Sequence, residues 1–344
     1  MRRALGYILY ALIMAAFVAA MVAELWVGKA PAHEEVCPVL CDKQEAEIVI
    51  VGDIMAHLPQ VESAQTGEDR FDFNPHFEGL RGLFEGADYV VANLETTLSP
   101  RPPYSGYPGF ATPEELARDL AEVGVDVVTL ANNHITDRGE GGVLATLAAL
   151  DNVGVRSVGA RVPAMRVGQI EPLVANVGAF KIAFVACTDL LNRPDRSVDV
   201  ARLDTLRLRE NIERVRPKVD FVVALVHWGE EYHTKPSRRQ TGMAEWMRAM
   251  GVDFVVGSHP HVIQPWEAWC DEGGRTVGGV FYSLGNVISN QNSVGTDCGL
   301  AARISLRRGA VEGPMEVAIA ADTLYRLRYT DDQGRLHYGI ELRH

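Results

Sequence analysis

From Ala46 onward the chain repeats one pattern, in which an apolar, largely β-branched run leads straight into a cluster of polar side chains. Ile48–Val51 runs into Gly52-Asp53. Four later runs share an aspartate entry: Asp88-Tyr-Val-Val leads to Asn93-Leu94-Glu95, and Asp126-Val-Val to Asn132-Asn133-His134. Asp220-Phe-Val-Val leads to His227-Trp228, and Asp253-Phe-Val-Val to Ser258-His259-Pro260-His261. Continuous Val-rich runs of this length predict strands buried on both faces. Amphipathic stretches separate them. Pro113–Val123 follows Thr112 with proline at the first helical position, and Gly142–Leu150, Leu206–Val215 and Arg238–Met250 also read as helices.

Strand–helix alternation predicts an α/β domain with helices on the sheet faces. In such domains ligands collect at the carboxyl ends of the strands. Asp53, Glu95, Asn133, His227 and His259 all fall there. The later runs Leu173–Phe184, Val277–Leu284, Ala301–Arg308, Val317–Tyr329 and Leu336–Leu342 predict antiparallel strands that complete the sheet or build a second one. No linker interrupts 46–344, which reads as one domain.

The amino-terminal end has a different character. Arg2 and Arg3 precede twenty uncharged, mostly apolar residues, 4–23, closed by Glu24. That length fits a membrane-spanning helix, whereas the apolar core of a cleavable signal runs to about 7–15 residues. Val18-Ala19-Ala20 and Met21-Val22-Ala23 still offer a peptidase small residues. Residues 1–28 are therefore expected to be a signal anchor, with a cleaved signal peptide as the alternative. In either case the body lies outside the cytoplasm. Residues 29–45 read as a tether. Five cysteines suit an oxidising compartment. Cys187 is expected to be a buried thiol. The other four permit three pairings, between which sequence does not choose; Cys37 with Cys41 and Cys270 with Cys298 is the preferred one.

The 344 residues carry a formal charge of −12. Without a basic cluster, nucleic acid is excluded as a partner. Four histidines, 134, 227, 259 and 261, follow buried-strand runs. Together with Asp53, Glu95 and Asn133 they make a metal site the favoured reading. Imidazole nitrogen with carboxylate and amide oxygen suits a divalent Mn, Zn or Fe ion. His259 and His261, two apart on an extended segment stiffened by Pro260, are expected to reach one centre. Several other chemistries are set aside. His227-Trp-Gly-Glu-Glu-Tyr-His233 follows a strand, so it lacks the helix that zinc-protease motifs require. G-x-S-x-G is absent, and Gly139-Glu-Gly-Gly142 reads as a helix entry. Trp228, Tyr232, Trp266 and Trp269 are candidates for an aromatic wall. Arg101, Arg138, Arg238 and Arg239 are candidates for meeting a polyanion.

Six motifs in order carry a family resemblance. They are Gly52-Asp53-Ile-Met, Asn93-Leu-Glu95, Asn132-Asn133-His134, His227-Trp228-Gly229, Gly257-Ser-His259-Pro-His261 and Tyr282-Ser-Leu-Gly285-Asn286. Over about residues 46–290 the chain resembles the CapA family of bacterial capsule and poly-γ-glutamate synthesis proteins, itself similar to the calcineurin-like metallophosphatases. The resemblance implies a four-layer α/β/β/α sandwich with mixed sheets. It implies metal ligands at Asp53, Glu95 (bridging), Asn133, His227, His259 and His261, and a proton donor at His134 paired with Asp137. Asn132, Trp228, Glu230, Arg138 and Asn286 are its candidates for substrate contact. The chain departs from the phosphatases at Met55, where they have histidine. His57 comes two positions late, which weakens one metal position.

The function expected from the resemblance is a membrane-anchored, extracytoplasmic protein of capsule or poly-γ-glutamate biosynthesis or export. Its metal centre would support hydrolysis or transfer on an anionic envelope polymer, alongside other capsule-synthesis subunits. The alternatives are a non-catalytic scaffold subunit and a general extracytoplasmic metallophosphatase.

Overall fold

In the first strand Ile48 and Ile50 face one side while Val49 and Val51 face the other, and all four are buried. That alternation generates the layers of the molecule. The computed structural model describes residues 44–308 and 315–343. The expected anchor, most of the tether, and Cys37 and Cys41 lie outside the described residues. Among the described residues no helix is long and apolar enough to cross a membrane.

The chain lays down β1 (Glu45–Ile54), β2 (Tyr89–Leu94), β3 (Val127–Thr129) and β4 (Arg156–Val158) in a first sheet. It then builds a six-stranded second sheet from β5 (Leu173–Val177), β6 (Phe180–Thr188), β7 (Phe221–His227), β8 (Phe254–Ser258), β9 (Trp266–Cys270) and β10 (Thr276–Phe281). It returns to the first sheet with β11 (Asn286–Ile288), β12 (Cys298–Arg308), β13 (Met315–Thr330) and β14 (Leu336–Arg343). The first sheet, eight-stranded, runs β14-β13-β12-β1-β2-β3-β4, with β11 also paired to β1. The second runs β5-β6-β7-β8-β10-β9. Both are mixed. Strands β1 to β4 are parallel, as are β6, β7, β8 and β10, while β12 to β14, β5 and β9 pair antiparallel.

Three apolar clusters fix the layer order. One joins the outer face of the first sheet to α1 (Glu115–Val123) and α2 (Gly139–Asn152) through Val49, Val51, Leu116, Leu120, Leu147 and Leu150. A second lies between the sheets, with Ile48, Ile50 and Val91 against Ile182, Phe184, Val223 and Phe254. A third joins the second sheet to α3 (Thr205–Val215) and α4 (Arg238–Ala249) through Val222, Ala224, Leu208, Ile212 and Met247. The order is helices, sheet, sheet, helices. Each sheet is therefore covered by helices on one face and by the other sheet on its second face.

The repeated entry aspartates have a structural role. Each accepts a backbone N–H from the adjoining parallel strand: Asp88 from Glu47 at 2.9 Å, Asp126 from Val90 at 2.8 Å, Asp220 from Lys181 at 2.7 Å and Asp253 from Val222 at 2.7 Å. They satisfy donors at the strand starts and pin the register.

One expectation is refined and one is corrected. Phe180–Thr188 and Thr276–Phe281 each pair antiparallel with the strand that precedes them through a tight turn, as expected, and each pairs parallel with its neighbour on the other side. Cys187, Cys270 and Cys298 are all free, so the expected Cys270–Cys298 bridge is not formed. Cys270 ends β9 in the second sheet, and Cys298 opens β12 in the first.

Candidate metal centre

The parallel strands β1, β2, β3, β7 and β8 finish at one place, and the polar clusters that follow them meet there. Register sets Asp53 beside Asn93 on one side and Asn286 on the other, while His227 pairs with Ser258 in the second sheet. The centre thus straddles the two sheets. Asp53 is fully buried. Its Oδ1 accepts from Asn93 Nδ2 at 2.7 Å, and its Oδ2 accepts from the His259 backbone N–H at 3.2 Å and lies 3.0 Å from His261 Nδ1. Glu95 is also fully buried, and its Oε1 has no hydrogen-bond partner. That oxygen lies 3.6 Å from His227 Nε2 and 3.8 Å from His261 Nε2.

Two overlapping triads result, Asp53–Glu95–His227 and Glu95–His259–His261, and within each the ligand atoms all lie within 4.8 Å of one another. Glu95 belongs to both. Asn133 joins the first through Oδ1, 2.9 Å from His227 Nε2.

The electrostatics fit a bound cation. Burial, then the neighbouring Asp53 carboxylate, pushes Glu95 well above the usual carboxylate range. Burial, then His259 and His261, holds His227 well below the ordinary imidazole value, and burial brings His259 down to about 3. Both imidazoles are neutral, as metal ligands must be. His259 Nδ1 is a second buried atom without a partner. A divalent cation would satisfy both orphaned atoms and relieve the two packed carboxylates. The donor set, carboxylate oxygen with imidazole nitrogen and no thiolate, suits Mn, Zn or Fe.

The histidine pair reaches the centre by a different route from the one expected. His259 and His261 do not lie on an extended segment. Both take the left-handed conformation, with φ of 96° and 59°, and their ring centroids are 5.6 Å apart. Backbone strain of about 1–3 kcal/mol per such residue is held in place by the Asp53 carboxylate. Met55 is buried and offers only a thioether. His57 is half-buried, with Nδ1 accepting from the Asn290 N–H at 3.2 Å.

Beside the triads, His134 Nδ1 is 2.7 Å from Asp137 Oδ2, and the same oxygen accepts from Phe110 N at 2.9 Å. With Nδ1–H held by the carboxylate, Nε2 is the atom left for chemistry. It lies 3.5 Å from Asn192 Nδ2. Phe110 stands edge-on to the rings of both His134 (4.7 Å) and His57 (5.1 Å).

The substrate candidates scatter. Asn132 is fully buried and works inward. Its Nδ2 donates to Asn93 Oδ1 at 3.2 Å and Leu94 O at 2.8 Å, and its Oδ1 accepts from His134 N at 3.2 Å. Asn286 props His261 Nδ1 at 3.2 Å. Trp228 points away, because it follows His227 on an extended strand and must take the opposite face. It is packed in the outer core of the second sheet and donates to Tyr282 O at 2.9 Å. Glu230 is exposed beside His233. Arg138 reaches Phe110 O at 3.3 Å and Ser105 Oγ. Of the aromatic wall, Trp269 is buried in the same outer core, Trp266 lies on edge strand β9, and Tyr232 alone approaches the centre, 6.3 Å from the His261 ring. Arg239 is engaged by Asp189 at 2.8 and 2.7 Å.

Sequence reasoning placed Asn93 in a motif but gave it no role; its Nδ2 lies 2.7 Å from Asp53 Oδ1 and 3.4 Å from both Glu95 Oε2 and His227 Nδ1. Sequence reasoning missed Asn192 and Tyr107, the latter 71% exposed and 6.3 Å from the His134 ring.

Comparison with known proteins gives the family of the chain. The chain is 29% identical over 287 residues to the capsule biosynthesis protein CapA of Bacillus anthracis, covering 79% of this chain and 66% of that one. It is 29% identical over 279 residues to the PGA biosynthesis protein CapA of Bacillus subtilis, covering 79% and 70%. The match thus spans about two thirds of the length of these relatives. A probable polyglutamine synthesis accessory protein of Mycobacterium tuberculosis is 25% identical over 60% of this chain and 57% of its own. Among solved structures, a 5'-nucleotidase from Candida albicans aligns with a TM-score of 0.44 and 10% identity, over 79% of this chain and 50% of that one. The family model described as "Bacterial capsule synthesis protein PGA_cap" matches residues 47–291, a span that carries every residue of both triads, and the chain belongs to that family.

Proposed function

We propose that this chain is an extracytoplasmic, membrane-tethered component of poly-γ-glutamate capsule production, and that its buried centre holds divalent metal and cleaves or transfers a bond in the anionic polymer. The relatives' names supply the polymer. The tether rests on the uncharged run 4–23 after Arg2 and Arg3. One observation carries the chemistry: Glu95 Oε1, fully buried and without a hydrogen-bond partner, faces the Nε2 atoms of His227 and His261 and is shared by two ligand triads. A buried carboxylate in that setting is costly unless a cation completes it.

When bound, such an ion polarises the bond under attack and makes water nucleophilic near neutral pH. The chain's own residues do the rest. Asp53, Glu95, Asn133, His227, His259 and His261 would hold the ion. Asp137 fixes the His134 ring by Nδ1, so that Nε2 delivers a proton to the leaving group.

The test is elemental analysis of the purified full chain, followed by turnover of a γ-linked glutamate oligomer. Bound Mn, Zn or Fe is expected, and His227→Ala and His259→Ala should each lose it. His134→Ala should keep the metal and lose turnover by about 10²- to 10⁴-fold. A folded, metal-free wild type would overturn the proposal in favour of a scaffold subunit.

A further inference from the structure

Two loops from different sheets close on His134. The segment between Ser105 and Phe110 is held by Asp137, through Phe110 N, and by Arg138. The loop after β6 crosses from the second sheet and docks on the first. There Asn192 N donates to Asn133 O at 3.0 Å, Arg193 Nη1 to Asp137 O at 3.4 Å, and Glu140 N to Asp195 Oδ2 at 3.0 Å. Arg193 lies along Gly109, where a Cβ would sit 3.4 Å from its Nη1. Arg138 and Arg193 are both exposed and flank the His134–Asp137 pair.

Neither guanidinium has a carboxylate partner among the described residues: their hydrogen bonds run to Phe110 O, Ser105 Oγ and Asp137 O. The acids of the crossing loop are already engaged. Asp195 is taken by Ser197 and the Glu140 N–H, and Asp189 by Arg239. Other arginines also lack a carboxylate partner; what sets these two apart is their place, on either side of one proton donor. Guanidinium is the side chain best shaped to grip a carboxylate.

We infer that Arg193, with Arg138, forms a carboxylate subsite on the leaving-group side of the centre, and that it reads the free α-carboxylate of the γ-glutamyl residue whose nitrogen departs. This rests on the proposed function. In a γ-linked chain each amide nitrogen is bonded to the carbon that bears the free α-carboxylate. A group that protonates that nitrogen must therefore have an anion as its immediate neighbour. On hydrolysis the amide C–N bond breaks, the oxygen of water joins the carbonyl carbon, the nitrogen leaves as an amine with a proton from His134 Nε2, and the proton that the water gives up restores His134. Arg193 holds the carboxylate through that step, and Asn192 lines the gap between it and Nε2.

The experiment is equilibrium binding by the full-length chain of a fluorescent γ-linked glutamate oligomer and of the same oligomer with its α-carboxylates methylated. Arg193→Gln is expected to weaken the acid oligomer about tenfold and to leave the ester unaffected, with metal content unchanged. Arg193→Lys should recover part of the loss, which a purely structural role would not produce. If wild type prefers the acid and Arg193→Gln preserves that preference, the subsite is wrong and the proposed function stands. If wild type shows no preference for the acid over the ester, both fall.

Discussion

At the scale of single residues, the centre depends on a side chain that is not itself a candidate ligand. Asn93 Nδ2 is the donor that lets Asp53 and Glu95 sit side by side before a cation arrives. Asn93→Ala removes it while leaving every triad member in place. Metal affinity is expected to fall about 10- to 100-fold, as for other partners that orient ligands, and titration against a chelating dye would measure it; unchanged affinity would show the amide to be dispensable. His76 makes a second case, away from the metal. It is buried against Phe73 and Tyr338, its Nδ1 has no partner, and burial lowers its pKa from 6.5 to about 4. The unfolded chain takes up this proton below about pH 6.5 and the folded chain does not, so stability is full above that pH and is lost as pH falls toward 4. The loss is about 1.4 kcal/mol per pH unit in that window. Melting curves at pH 7 and pH 5 should show a smaller drop for His76→Phe than for wild type, and equal drops would remove His76 from the acid response. The ligands were legible in the sequence because each ends an apolar run. Asn93 stands in a motif that the sequence marks, but its role as the donor between two carboxylates was not legible, because it depends on which strand lies beside Asp53, and Asn192 and Tyr107 lie in loops with no period to mark them.

At the scale of elements, the site is a consequence of strand ends and tight turns. The alternation that sends His227 to the centre sends Trp228 to the outer core, so its position could have been foreseen from the two-residue period alone. Which strands share a sheet could not, because Val-rich runs look the same in both. The entry aspartates were visible as a repeat, but their bonds to the neighbouring strand require the pairing to be known. β1 meets the turn before β11 at Gly52, where Asp53 N donates to Gly285 O at 2.9 Å. A Cβ on Gly52 would stand 2.0 Å from that same carbonyl oxygen. Gly52→Ala must therefore push β1 off the turn and carry Asp53 with it. A stability loss of about 1–3 kcal/mol is expected, as for other overpacked core sites, together with weakened metal binding. Thermal melts with and without metal would read both, and an unperturbed melting temperature would show that the two segments can part without cost.

At the scale of the whole molecule, charge works against the proposed ligand. The chain carries −12, and a polyglutamate approaching it meets repulsion over most of the surface. Composition showed that sign but not the location of the unpaired arginines, which became visible only when two loops from different sheets were found beside His134. The two effects act over different ranges. Long-range repulsion is screened as the Debye length shrinks from about 30 Å at 0.01 M salt to about 8 Å at 0.15 M. Contacts between guanidinium and carboxylate are short and lose much less over that interval. Affinity for a γ-linked oligomer should therefore rise over the first additions of salt, chiefly through a faster on-rate. Arg193→Gln should show a steeper rise from a lower start, because the repulsion remains while part of the attraction is gone. Stopped-flow fluorescence across a salt series separates on-rate from off-rate, and a wild-type affinity that falls from the first increment would mean that attraction, not repulsion, governs the encounter.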